Sequence, residues 1–161
     1  MRWMTHQVAG VGAVLMLDGP LLSLGGVIIG STLPDVLDKT IASFSTNPQA
    51  AFNKIHRGTT HWFGWWVLAY FLALSNVTPM PIRPFVFGLA LGGLVHVIFD
   101  AITPMGVPLL PWSRKGRISL NLVSTGGVME YVLLVSMCVF LYMVKGEQFL
   151  SAIRGIVRKF L

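Results

Sequence analysis

Negative charge is almost missing from this chain. Only six Asp and Glu stand among 161 residues, against twelve Lys and Arg, and charged residues of both signs make up 11% of the total. A soluble domain carries about 25%, so the composition excludes an ordinary water-facing surface. Cysteine is scarcer still. The single Cys138 lies in an apolar run, which excludes an intramolecular disulfide and makes it a small core hydrophobe. No internal repeat is present. The net charge of +6 could suit nucleic acid, but the basic residues are spread along loops and tail and several flank apolar segments. That pattern fits anchoring at anionic lipid head groups, so membrane lipids are the expected partners and nucleic acid is not.

What is present is apolar: 54% of residues are hydrophobic, with mean hydropathy +0.71. Three runs, 61–78, 84–102 and 128–144, have 18, 19 and 17 residues, within the range of about 17 to 25 that crosses a hydrocarbon core. Trp62, Trp65, Trp66 and Tyr70 crowd the start of the first like an interfacial aromatic belt. Pro79-Met80-Pro81 turns the chain into the second. Residues 8–32 are also apolar, but Asp18-Gly19-Pro20 interrupts them, and a charged, helix-breaking turn does not suit one straight span. Two short helices over about 4–17 and 20–33, each about 21 Å long, fit better. A secretory leader, with Arg2 before 8–17, is the alternative, although no small-x-small cleavage site follows.

Residues 38–54 and 103–127 read as exposed loops, the first rich in Ser, Asn and Gln, the second in Pro and Gly. From Gly146 onward, Phe149, Leu150, Ile153, Ile156, Val157 and Phe160 recur at helical spacing, with Arg154, Arg158 and Lys159 between them. This reads as a basic amphipathic helix on the membrane surface, or one packed against the protein. The expected fold is all-α: a membrane-embedded bundle with an N-terminal helical hairpin, three transmembrane helices and an amphipathic tail over 145–161. It forms one domain over 1–161.

The few ionisable groups are bunched. Asp35 and Asp38 follow Leu33-Pro34; His56 and His61 bracket Arg57-Gly58-Thr59-Thr60; His96 and Asp100 lie four apart. Each cluster abuts the end of an apolar run, where charge is costly and by default functional. His96 and Asp100 share one helical face and could hold one ion, or form a structural hydrogen bond. His56 and His61 are too far apart for one face of a regular helix, but Gly58 lets the chain turn so that both rings can converge. Arg57 offers a fork for phosphate or carboxylate, or is a flanking cation. Asp35 and Asp38 could cap a helix instead. With the hairpin, His6, Asp35, His56, His61, the Asp100 end of its helix and Glu130 all reach one membrane face. Four His and several carboxylates suffice for one or two divalent ions, with Zn the expected metal and Mn or Fe the alternatives.

These blocks resemble the YdjM-like family of LexA-binding, inner membrane-associated metal-dependent hydrolases. The matching residues are Thr5-His6, Leu33-Pro34-Asp35, His56-Arg57-Gly58-x-Thr60-His61, and His96-x-x-x-Asp100-x-x-Thr103-Pro104-x-Gly106-Val107-Pro108-Leu109-Leu110, with Glu130 before an aromatic. The family is similar in motif order to zinc-dependent phospholipases C and single-strand nucleases. The resemblance implies a multi-pass protein of the bacterial inner (cytoplasmic) membrane that hydrolyses a phosphoester, plausibly a phospholipid, by metal-activated water, with a protein partner also implied. It implies His6, Asp35, His56, His61, His96, Asp100 and Glu130 as metal ligands, and Arg57 and Asp100 as catalytic. Two departures stand out. The family's Pro-Asp-x-Asp has its second acid one position later here, which puts Asp38 in doubt, and Trp62 replaces a Ser after the second His. A membrane regulator or scaffold with a structural metal is the competing expectation. A transporter fits less well, because the polar groups sit at helix ends. The proposed site face carries seven Lys and Arg (Arg2, Lys39, Lys54, Arg57, Arg114, Lys115 and Arg117) and the other five, which slightly favours a cytoplasmic site, while the basic tail pulls the other way and leaves the side open.

Overall fold

The computed structural model describes residues 1–113 and 116–160, without the side chains of 148, 149 and 151–160. Seven α-helices make up most of it: α1 (Trp3–Met16), α2 (Leu21–Gly30), α3 (Leu33–Ser43), α4 (Pro48–Ile55), α5 (Phe63–Leu74), α6 (Arg83–Ala101) and α7 (Val128–Phe160). A 3-10 turn, Thr59–His61, precedes α5, and an antiparallel hairpin pairs β1 (Val107–Pro108) with β2 (Arg117–Ile118). The all-helical expectation holds.

The N-terminal hairpin forms as the Asp18-Gly19-Pro20 break predicts. α1 ends where Asp18 enters the left-handed region (φ 49°), and the Gly19 amide donates back to the Val14 carbonyl at 3.0 Å. Pro20 then caps α2. Two differences follow. The chain does not leave the membrane edge as a loop at Asp38: after a 44° bend at Ser31-Thr32, α3 continues through Ser43, and α4 starts at Asn47-Pro48. Pro34 and Pro48 pre-set their first turns, and the Asn47 side chain accepts from the Ala50 amide at 3.1 Å. The expected span at 61–78 is also shorter. His61 ends the 3-10 turn and the helix stops at Ser75, which leaves α5 twelve residues, about 18 Å.

Among the described residues two helices are long and apolar enough to cross a membrane, α6 and Val128–Glu147 of α7, with the bent α2–α3 pair as a third candidate. The tail is not a separate helix but runs on from α7 as one element to Phe160. The side chains that defined its amphipathic face, Phe149, Ile153, Ile156, Val157, Phe160, Arg154, Arg158 and Lys159, lie outside the described residues, as do Arg114 and Lys115.

Packing is inside out relative to a soluble protein. The largest fully buried side chains are His6, His61, His96 and Glu130, whereas Val, Met and Tyr side chains crowd the exposed surface of α7. That arrangement is stable where the outside is hydrocarbon. α2 and α6 make the closest helix pair through glycines four apart on both, Gly26 and Gly30 against Gly88 and Gly92. A Cβ on Gly92 would sit 2.5 Å from the Val27 carbonyl oxygen and 2.6 Å from the Ser31 amide nitrogen. Backbones this close need small residues. α1 and α7 run parallel and are tied at both ends: Thr5 Oγ1 donates to Glu130 Oε1 (2.8 Å), and Lys145 Nζ pairs with Asp18 Oδ1 (2.6 Å).

Candidate metal centre

The α2–α6 contact places the first ligand. The bend after Gly30 turns the Ser31 carbonyl toward His96, one helical turn beyond Gly92, and His96 Nδ1 donates to it at 2.7 Å. A carbonyl only accepts, so the proton is on Nδ1 and Nε2 presents a lone pair. His61 is fixed in the same sense. Thr60 Oγ1 donates to Asp38 Oδ1 (2.6 Å), which leaves its lone pair for His61 Nδ1 at 3.0 Å; Asp38 Oδ2 lies 3.5 Å from the same nitrogen.

The two Nε2 atoms face each other at 3.2 Å. Asp35 Oδ1 is 3.3 Å from His61 Nε2 and 3.8 Å from His96 Nε2, and Asp100 Oδ2 is 3.6 and 3.5 Å from the same pair. Four lone-pair atoms thus converge, and burial pushes the His61 imidazole below its ordinary pKa, which disfavours a bridging proton. Asp35 Oδ1 is buried with no hydrogen-bond donor. A tetrahedral ion with N and O ligands at about 2.0–2.2 Å spaces them about 3.3–3.6 Å apart. The donor set fits a divalent cation.

Two more imidazoles flank this group. His6, fully buried, stacks on His96 with ring centroids 4.0 Å apart; its Nε2 is 3.4 Å from Asp100 Oδ1, and neither ring nitrogen has a hydrogen-bond partner. His56 lies across the cluster, its Nδ1 3.6 Å from Asp35 Oδ1 and 3.3 Å from Asp38 Oδ2. With 22% of its side chain exposed, it is the water-facing member. The six residues therefore also divide into two three-ligand sets, His6–His96–Asp100 and Asp35–His56–His61. The turn that brings His56 and His61 within 5.5 Å is made with Arg57 in the left-handed region (φ 55°) rather than Gly58. Gly58 supplies space, since a Cβ there would sit 2.6 Å from the Ile55 carbonyl.

The structure places Arg57 and Glu130 differently from the ligands. Arg57 is buried. Its guanidinium donates to Asp100 Oδ1 (2.8 Å) and Thr103 Oγ1 (2.5 Å), so it faces the cluster's own carboxylate. The backbone nitrogen of Met1 also reaches Asp100 Oδ1, at 2.7 Å. Glu130, expected among the ligands, stands apart from both ligand sets. One carboxylate oxygen accepts from Arg2 N (2.6 Å) and Thr5 Oγ1 (2.8 Å), and the other from Gly126 N (2.5 Å), which fastens α7 to the start of α1. Asp38 is fully buried and holds the His56–His61 turn through the Arg57 amide (3.1 Å) as well as through Thr60. Trp3 went unread in the sequence. Its Nε1 donates to Asp35 Oδ2 at 2.8 Å, which turns Oδ1 toward the imidazoles. Its position three residues before His6, on the same helical face, was the available signal.

Helices of membrane-crossing length, an apolar exterior and a buried imidazole–carboxylate cluster define an all-helical membrane protein with a candidate metal centre. A family model described as YdjM inner membrane protein matches residues 1–156, and the chain belongs to that family. No curated protein and no solved structure matches it. The likeness to phospholipases C and nucleases therefore finds no support among known structures.

Proposed function

We propose that this protein is a multi-pass, metal-dependent hydrolase of the inner membrane that acts on a phosphoester, a lipid among the candidates. The observation that supports this best is the division of six His and Asp side chains into two three-ligand sets, the donor atoms of each lying within 4.8 Å of one another. His6, Asp35, His56, His61, His96 and Asp100 would hold the metal, as two three-ligand sets. Three protein ligands leave a position open, which marks a catalytic rather than a structural site. A divalent cation there supplies Lewis acidity, which activates water at neutral pH and offsets developing phosphoryl charge. The other residues serve that set. Ser31, Thr60 and Asp38 fix the imidazole tautomers, Trp3 orients Asp35, and Arg57 positions Asp100. Water reaches the cluster from the His56 side.

The test is metal analysis of the purified protein, paired with a hydrolysis screen over phosphodiesters and phospholipids with and without chelator. Bound Zn, Mn or Fe and chelator-sensitive hydrolysis are expected; metal-free protein at full yield would refute the reading. The convergence of His61, His96, Asp35 and Asp100 on one another favours a second reading, a single closed ion with a structural role. One ion per chain, no hydrolysis and a lower melting temperature on chelation would select it.

A further inference from the structure

α7 packs chiefly on α1 and stands off α6, which leaves a groove of about 260 Å³ between α6 and α7 with α1 as its floor. Ala9 and Ala13 line the floor, Phe99 one wall, and Met137, Phe140 and Leu141 the other. Its lining side chains are all apolar. Both walls belong to helices that qualify as membrane spans, so the groove opens onto hydrocarbon. One end abuts the metal centre: Phe99 stands edge-on to His6 with centroids 6.5 Å apart and directly precedes Asp100. From there the groove follows α1 toward Met16, about 10 Å along the axis. A helix about 10–12 Å across could cover such a slot but not enter it. An extended hydrocarbon chain can.

We propose that this groove takes the acyl chain of a bilayer glycerophospholipid and leads its head group to the His–Asp cluster. The head-group half of the proposal rests on the hydrolase reading above; the chain-binding half does not. Apolar burial holds the chain, and the edge-on His6–Phe99 corner marks where the chain ends and the polar head begins. A lipid enters sideways from the bilayer, without leaving it.

The full-length protein in phosphatidylethanolamine–phosphatidylglycerol nanodiscs, doped with phosphatidylglycerol bearing a diazirine on one acyl chain, provides the test. Cross-linked residues are mapped by mass spectrometry in the native chain, in Ala13→Trp, which fills the groove, and in Met143→Trp on the exposed outer face of α7. Cross-links concentrated on Met137, Phe140 and Leu141, cut at least fivefold by A13W and unchanged by M143W, support the proposal. Labelling spread evenly over Val132, Val139 and Met143 overturns it. So does a groove protected from lipid by a second copy, seen as chain-to-chain cross-links. Thermal melting and bound metal, both expected unchanged in A13W, show that the variant is folded. The two readings fail separately: groove labelling in a metal-free protein removes the hydrolase alone, and even labelling of a metal-loaded protein removes the groove alone.

Discussion

Gly92→Ala adds one methyl group at a residue that offers no ligand and should still weaken the metal centre. The new Cβ would lie 2.5 Å from the Val27 carbonyl oxygen and 2.6 Å from the Ser31 amide nitrogen, and both are backbone atoms that no rotamer change can move aside. Relieving the clash, to between 3.0 and 3.4 Å, requires α2 and α6 to separate by about 0.5–1 Å. The Ser31 carbonyl belongs to the residue that is struck, so its 2.7 Å bond from His96 Nδ1 would stretch to about 3.2–3.7 Å, beyond good hydrogen-bond length. Overpacking costs about 1–3 kcal/mol, and the better helix propensity of Ala returns about 0.5–1. A net loss of about 0–2.5 kcal/mol remains. Freeing the bond that sets a ligand's orientation lowers metal affinity about 10–100-fold. Gly25→Ala is the matched control, because a Cβ there meets nothing within 4 Å. It should be neutral or slightly stabilising. Thermal melting in detergent and competitive metal titration read both effects. Equal melting temperature and equal affinity in the two variants would refute the argument that backbone contact positions His96.

Further variants separate the ligands from their supports. His96→Ala and Asp100→Ala should each lower bound metal and abolish any hydrolysis without unfolding the protein; unchanged metal in the purified variants would remove both residues from the site. Glu130→Gln should keep its metal but lose about 1.5–3 kcal/mol of stability by weakening three hydrogen bonds to a charged acceptor; metal loss at an unchanged melting temperature would return Glu130 to the ligands. Asp38→Asn should weaken metal about 10–100-fold without abolishing it, since a ring partner and not a ligand is altered; complete loss would make Asp38 a ligand. The metal-free protein should lose stability as pH falls below about 6.5. His61 is folded with a depressed pKa, so the unfolded chain takes its proton first; a melting temperature constant from pH 7.5 to 5.5 would contradict this.

The residues of the site were legible because apolar surroundings make each charge conspicuous. Asp18-Gly19-Pro20 folded the N-terminal stretch into a hairpin, and that one break decided that His6 joins Asp35 and Asp100. Composition misled at 38–54, where Ser and Asn suggested a loop although Pro34 and Asn47-Pro48 start helices. It misled again at α5, where hydropathy ran through Ser75 but the helix did not. Glu130 looked like the other carboxylates, and only three dimensions assign its oxygens to backbone amides and Thr5. The paired glycines of α2 and α6 were open to reading in the sequence. Their meaning depends on which helices meet, and spacing alone does not say that.

The tie between Thr5 and Glu130 spans 125 residues, and it gives the protein an order of assembly. His6 is held in its stack by a helix start that α7 fastens through Glu130, beside the ties from Met1 to Asp100 and from Trp3 to Asp35. The first candidate ligand in the chain is thus secured in part by the last helix. A chain interrupted before Glu130 would carry all six candidate ligands without that tie, so on the metal-centre reading its metal content would fall below that of the full chain.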